Sequence, residues 1–144
     1  MNSETTKKLM TEAMNLICRC GLRLSSQRIA VASYILSHRT HPTADEIFNA
    51  LKGDHPTLSR TTVYNTLRAL VQSGAVSELT IDPGMSRFDT MTHPHTHFRC
   101  TCCERIYDLP MTPPAAPEGY IASEVQVYMT GICPACATFS DTTN

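Results

Sequence analysis

Cys100 and Cys103 form one Cys-x-x-Cys pair, and Cys133 and Cys136 form a second. Two intervening residues let a tight turn aim both sulfurs at one centre. Two such turns supply the four soft ligands of a tetrahedral structural zinc site. The competing uses are two disulfides or four unpaired buried thiols. The total of seven cysteines is odd. The polar stretch over residues 1–8 reads as neither a secretory leader nor a lipidation signal, so the disulfide reading is weak and a reducing, cytoplasmic location is expected. A second group of ligand types precedes the first pair. His95 and His97 lie two apart on an expected strand, so they project to one side and can grip one ion. His93 sits two residues earlier and could substitute for one of them, with Pro94 expected to alter its direction.

The segments that must position these groups fall into two sets. Leu9, Ala13, Leu16 and Ile17 recur at helical spacing, and Gly21 stops that helix. Ser25 or Ser26 caps a second helix carrying Ile29, Ala32, Ile35 and Leu36, which ends near His38. Thr43 caps a third, with Glu46 completing a capping box, Ile47, Phe48 and Leu51 as its apolar stripe, and Gly53 beyond. Ser59 caps a fourth, with Val63, Leu67, Leu70 and Val71 inside and Gly74 at its end. After Gly74 the period changes to two: Val76, Glu78 and Thr80 alternate with Ser77, Leu79 and Ile81. The Asp82-Pro83-Gly84 turn then leads to a returning strand through Arg87, Phe88 and Asp89.

Helices followed by a hairpin describe a winged helix-turn-helix. The fourth helix carries Arg60, Thr61, Thr62, Tyr64, Asn65 and Arg68 off its apolar stripe. A helix lying in a DNA major groove requires such donors for phosphates and base edges, whereas an ordinary solvated face carries more Glu and Lys. Beyond Pro94, short strands are expected at His97–Arg99, at Ile106–Leu109 and through Val125, Val127 and Met129. A rigid Pro-rich loop runs from Pro110 to Gly119. This second unit is too small for a good apolar core, so tying its ends together is a physical task for zinc, and a second copy would cover its exposed edge. The expected fold is α+β: a winged-helix DNA-binding domain over 1–90, then a small antiparallel α/β metal-binding dimerisation domain over 91–144.

Bulk properties agree. A chain of 144 residues with net charge −1 makes one ordinary domain or two small ones. No apolar stretch is long enough for a membrane span. Basic residues dominate before Lys52 and acidic ones from Glu104 onward, as expected where only the first half meets a polyanion.

Taken together, Gly21-Leu22-Arg23 with Gln27-Arg28, the run His41 to Phe48, the run Thr62 to Leu67, and His95-Thr96-His97 before the first cysteine pair resemble the ferric uptake regulator family along nearly the whole chain. Asn65 after Tyr64, and the Arg87-Phe88-Asp89 run, resemble its peroxide-sensing branch. The resemblance implies a homodimeric, metal-dependent transcriptional regulator, expected to repress, rather than an enzyme. It places a regulatory metal on His41, Asp89, His95, His97 and Asp108. Three imidazoles with two carboxylates form a borderline-to-hard set that independently suits Fe(II) or Mn(II). It further implies that iron and hydrogen peroxide together oxidise His41 or His95, and that the dimer binds a pseudo-palindromic, A/T-rich double-stranded operator. Arg60, Thr61, Tyr64, Asn65 and Arg68 would meet the DNA, with Arg87 on the wing near a phosphate or the minor groove. The alternative within the family is a metal-uptake regulator whose metal serves only as corepressor.

The chain also departs from the family. The segment between Asp108 and Cys133 is short and Pro-rich where relatives carry a longer, helix-bearing piece. No histidine follows His97, which leaves one regulatory site per chain. Cys102 sits inside the first pair's loop, where it could lend a thiol, be oxidised beside the zinc, or simply fill space. Cys18 and Cys20, one residue apart on a helix, point in different directions and read as packing thiols.

Overall fold

The computed structural model describes residues 2–90 and 95–140, with side chains through Thr138. His93 and Pro94 lie outside the described residues. The chain divides into two compact units, Met1–Thr92 and His93–Asn144. No helix among the described residues is long and apolar enough to cross a membrane.

The first unit holds α1 (Ser3–Arg19), α2 (Ser26–Ser37), α3 (Ala44–Leu51), α4 (Arg60–Gln72) and a hairpin of β1 (Ser77–Asp82) and β2 (Met85–Asp89). The last three of its helices begin where side-chain oxygens satisfy their first amides. The Ser25 side chain accepts from the Arg28 amide and Ser59 from the Thr62 amide, while Thr43 and Glu46 exchange bonds in a complete capping box. Each helix sends one stripe inward. Ile17, Val31, Ile35, Ile47, Val63, Leu67 and Leu70 are all essentially inaccessible, and Val76 and Phe88 close the cluster from the hairpin side. Burying each such side chain contributes about 1.5–3 kcal/mol before chain entropy is charged. At the tip of the wing Gly84 has φ +70°, which the turn after Pro83 requires.

The hairpin is not isolated. The Phe88 amide donates to the Pro42 carbonyl at 3.0 Å, and Thr43 bridges antiparallel to Arg87. The approach to α3 is thereby stitched along β2, a pairing the sequence pattern does not announce.

The second unit is a three-stranded sheet ordered β4–β3–β5, from β3 (Thr96–Cys100), β4 (Ile106–Leu109) and β5 (Tyr128–Gly131), followed by α5 (Pro134–Ser140). The antiparallel expectation holds for β3 with β4, whereas β5 pairs with β3 in parallel. The third strand also lies later than expected: Val125 is outside it and exposed. Both differences have one cause. The parallel register sets Cys100 opposite Gly131, so both cysteine turns emerge at the same end of the sheet. An antiparallel β5 would carry the second turn to the far end. Residues 110–127, without helix or strand, supply the crossover. Gly131 packs closely there, where a Cβ would stand 3.4 Å from the Phe98 ring.

Candidate functional site

At the cysteine end, one sulfur from each of Cys100, Cys103, Cys133 and Cys136 lies within 4.8 Å of every other. Zn–S bonds of about 2.3 Å in a tetrahedron need sulfurs about 3.8 Å apart, and Cys103 Sγ lies 3.9 Å from Cys133 Sγ. Cys100 and Cys133 are buried, and the Cys133 amide donates to Cys100 Sγ at 3.4 Å. Hydrogen bonds from the backbone at Cys103 and then Cys133 hold the Cys100 thiol down at about 6. The Tyr107 hydroxyl, followed by the backbone at Cys136, lowers the Cys133 thiol as well, and that donated bond pushes Tyr107 up to about 12. Cys136 goes the other way because it donates to Cys133. The proton it shares is what a metal displaces, so the donor set fits a structural zinc. Tyr107 was not legible as part of this site, for no sequence spacing links it to Cys133.

Within the same unit His95, His97 and Asp108 converge. His97 stands opposite Asp108 in the β3–β4 register. Each imidazole Nε2 lies 3.3 Å from Asp108 Oδ1, and the two Nε2 atoms are 2.9 Å apart. His97 is only 5% exposed. Two ring nitrogens and a carboxylate oxygen aimed at one point are ready-made ligands, and thiolates are absent from the trio.

The first unit holds the other expected ligands, His41 and Asp89. Both are buried, and His41 Nε2 faces Asp89 Oδ2 at 3.8 Å. His41 has φ +54° directly before Pro42. A non-glycine residue in that region costs about 1–3 kcal/mol and persists only where its surroundings impose it. Here the imposing contacts are visible: the Pro42 carbonyl is held by β2, and Arg87 Nη1 donates to the His41 carbonyl at 3.1 Å.

On α4, Thr61, Tyr64, Asn65 and Arg68 are exposed together on one face. Tyr64 is 48% exposed, a large ring left in solvent. Thr62 is instead spent on the helix cap, its hydroxyl 2.9 Å from Ser59 Oγ. Arg60 is exposed but engaged with Asp45 and stacked 4.5 Å over the Phe48 ring. Arg87, the expected wing contact, is largely engaged within the protein. Its side chain is 16% exposed, and its Nε is bonded to the buried carboxylate of Asp82. A buried carboxylate demands a cationic partner, and that demand turns Arg87 inward. Cys102 is exposed, Cys18 is exposed, and Cys20 packs against the core while bonding Ser73 Oγ at 3.2 Å.

Residues 19–128 match the ferric uptake regulator family. The peroxide-responsive repressor PerR of Staphylococcus aureus (strain Mu50 / ATCC 700699) is 42% identical over 105 residues, spanning 73% of this chain and 71% of that protein. The solved PerR of Streptococcus pyogenes, described as a basis for peroxide sensing and gene regulation, is 29% identical with a TM-score of 0.52, covering 89% of this chain and 92% of that one. The Helicobacter pylori ferric uptake regulator shares the fold at a TM-score of 0.68 and 22% identity, over 91% and 93% of the two chains. A thiolate metal site, a separate histidine–aspartate site and a winged helix are thus joined to a family match over most of the sequence. The chain belongs to the ferric uptake regulator family, in its PerR branch, and is a metal-binding transcriptional regulator rather than an enzyme.

Proposed function

We propose that this protein is a homodimeric, peroxide-responsive repressor whose DNA binding depends on one regulatory Fe(II) or Mn(II) ion per chain. The ion would be held by His41, Asp89, His95, His97 and Asp108. The observation that carries this reading is the convergence of His95, His97 and Asp108 within 3.3 Å. The buried facing pair of His41 and Asp89 supports it. Fe(II) in such a donor set supplies reactivity toward hydrogen peroxide that Mn(II) lacks, so the imidazoles touching it, His41 or His95, are the groups to be oxidised. His41 and Asp89 belong to the winged-helix unit and the other three to the sheet unit. Holding one ion together, the five side chains would fix the units in the arrangement that presents two recognition helices to half-sites one helical turn apart. An oxidised imidazole is a poorer ligand and releases that arrangement.

The test is to load the protein anaerobically with Fe(II) or with Mn(II), add a small excess of peroxide, and follow peptide masses and operator binding. In the iron form alone, one added oxygen atom is expected on the peptide bearing His41 or the one bearing His95, with loss of DNA binding. Intact histidines and retained binding would replace this reading with a metal-uptake regulator. Oxidation confined to Cys102 or the zinc thiolates would move the sensor to sulfur.

The exposed face of α4 supports binding to double-stranded DNA, with Arg60, Tyr64 and Asn65 reading bases beside Thr61, while a pseudo-palindromic operator follows from the proposed dimer and its A/T-rich character from the family resemblance. Arg68→Ala should weaken binding to all sequences and reduce the salt slope by about one. Tyr64→Ala should instead alter sequence preference at about 1–3 kcal/mol for the affected base pair. Titrations at two salt concentrations on matched and mismatched operators separate the two, and identical behaviour would refute the assignment.

A further inference from the structure

We infer that Arg87 is a positioning residue for the regulatory metal: its guanidinium bridges the wing to the backbone of His41 and so sets where the His41 imidazole stands relative to Asp89. The inference rests on the proposed role of His41 and Asp89 as ligands, and on four contacts inside the first unit. Arg87 Nε is bonded to Asp82 at the wing turn, and Arg87 Nη1 donates to the His41 carbonyl at 3.1 Å. The same Nη1 lies 4.0 Å from Glu46 Oε2, whose carboxylate also accepts from the Thr43 amide in the α3 cap. One residue further along β2, the Phe88 amide holds the Pro42 carbonyl. The peptide that follows His41 is therefore gripped from β2 on both sides of Pro42.

This grip has a purpose that packing alone does not require. His41 occupies a left-handed backbone conformation before proline, which an unconstrained chain leaves. If the chain relaxed there, the Cα–Cβ direction would swing and carry the imidazole away from Asp89. Arg87 is suited to prevent this because its planar fork can hold a carboxylate with one nitrogen and a carbonyl with another in fixed geometry. A lysine offers one point charge and cannot hold both in that geometry. Asp89 follows on the same strand and the same side, so the residue that fixes His41 and the residue that faces it move together. The wing and the winged-helix half of the metal site are then one mechanical piece.

The experiment compares Arg87→Lys, Arg87→Gln and Asp82→Asn with the unaltered full-length, zinc-containing dimer. Mn(II) chloride affinity is measured by calorimetry, Co(II) visible absorption reports the ligand set, and the salt slope of operator binding is recorded. All three variants should bind Mn(II) at least tenfold more weakly and lose or shift the Co(II) band, with zinc content unchanged and the first unit still melting cooperatively, at a lower temperature in Arg87→Gln because the buried Asp82 carboxylate loses its partner. Arg87→Lys should fail to rescue although it keeps the charge. Asp82→Asn should add little on top of Arg87→Gln, since both cut the same bridge. A phosphate-contact role predicts the opposite pattern: unaltered Mn(II) and Co(II) behaviour, a smaller salt slope in Arg87→Gln, and recovery in Arg87→Lys. That result overturns the inference. If an Arg87 variant loses its melting transition, Asp82→Asn decides alone, and undiminished Mn(II) affinity in that variant is equally fatal. Failure of the unaltered protein to bind Mn(II) through His41, judged by a His41→Ala variant with the same affinity, would refute the ligand assignment itself and is distinguishable from either outcome.

Discussion

A Cys133→Ser variant is expected to lose its zinc and the cooperative unfolding transition of the second unit, while the helical unit melts as before. Cys133 is 1% exposed and stands at the centre of the thiolate cluster, 3.9 Å from Cys103 Sγ, with its amide donating to Cys100 Sγ. Serine preserves volume but offers zinc a hard, protonated oxygen in place of a soft thiolate. Structural zinc binding is worth about 10–16 kcal/mol in small domains, comparable with the whole stability of a typical domain at about 5–15 kcal/mol. A three-stranded sheet whose edges face solvent has no reserve to replace it. Metal analysis and far-ultraviolet circular dichroism on heating provide the check. Full zinc content with an unchanged melt would show the cluster to be dispensable.

His97→Ala carries the second large effect, this time on the regulatory ion. His97 occupies the central strand, opposite Asp108 and beside His95, and its ring lies 6.2 Å from that of Tyr128. Removing even a residue that only supports a metal ligand costs about 10–100-fold in affinity, so deleting this imidazole should weaken Mn(II) binding by more than about a hundredfold. Zinc should stay in place, because the cysteine cluster shares no ligand with this trio. Asp108→Asn should be milder, at about tenfold, since the amide still offers an oxygen at the same place and the group is partly in solvent. Mn(II) calorimetry on both variants, alongside operator binding, tests the order. Equal loss in the two would mean that charge, rather than ligand number, governs the site.

The helical half of the fold was legible because local rules decide it. Ser25, Thr43 and Ser59 each announce a helix start, and the apolar spacing behind them matches the buried stripes. What escaped was set by contacts distant in sequence. Nothing near Tyr128 says that it will pair in parallel with His97 rather than antiparallel with a neighbour. The requirement that Cys100 and Cys133 meet does say so, but only as a constraint on topology. The alternation through Val125 and Val127 gave a strand too early, because the crossover still occupies those residues. The short helix α5 was missed because seven residues give too little periodicity to detect, although Pro134 at its first position is a start signal. Among site residues, His95 and His97 could be argued from their spacing alone. His41, Asp89 and Asp108 had no such local mark. For Arg87 a cation on a wing reads as a DNA contact, and only the buried carboxylate of Asp82 reveals its engagement within the protein.

The parallel pairing of β5 with β3 also dictates the order in which the molecule can come into being during synthesis. Every segment that packs into the first unit lies before Thr90, so that unit can assemble as soon as β2 has left the ribosome. The sheet cannot. His97 has no β5 neighbour until Tyr128 is made, and the metal has no second pair of thiols until Cys136 follows. During that interval β3 and β4 form only a bare hairpin, marginal by itself in water, with Cys100 and Cys103 already present but without their partners. A nascent chain therefore passes through a stage that already carries the proposed DNA-reading helix and the His97–Asp108 pairing of the hairpin, but not yet the β5 strand and second pair of thiols that complete the unit. Competence to respond to metal arrives last, with the second cysteine turn.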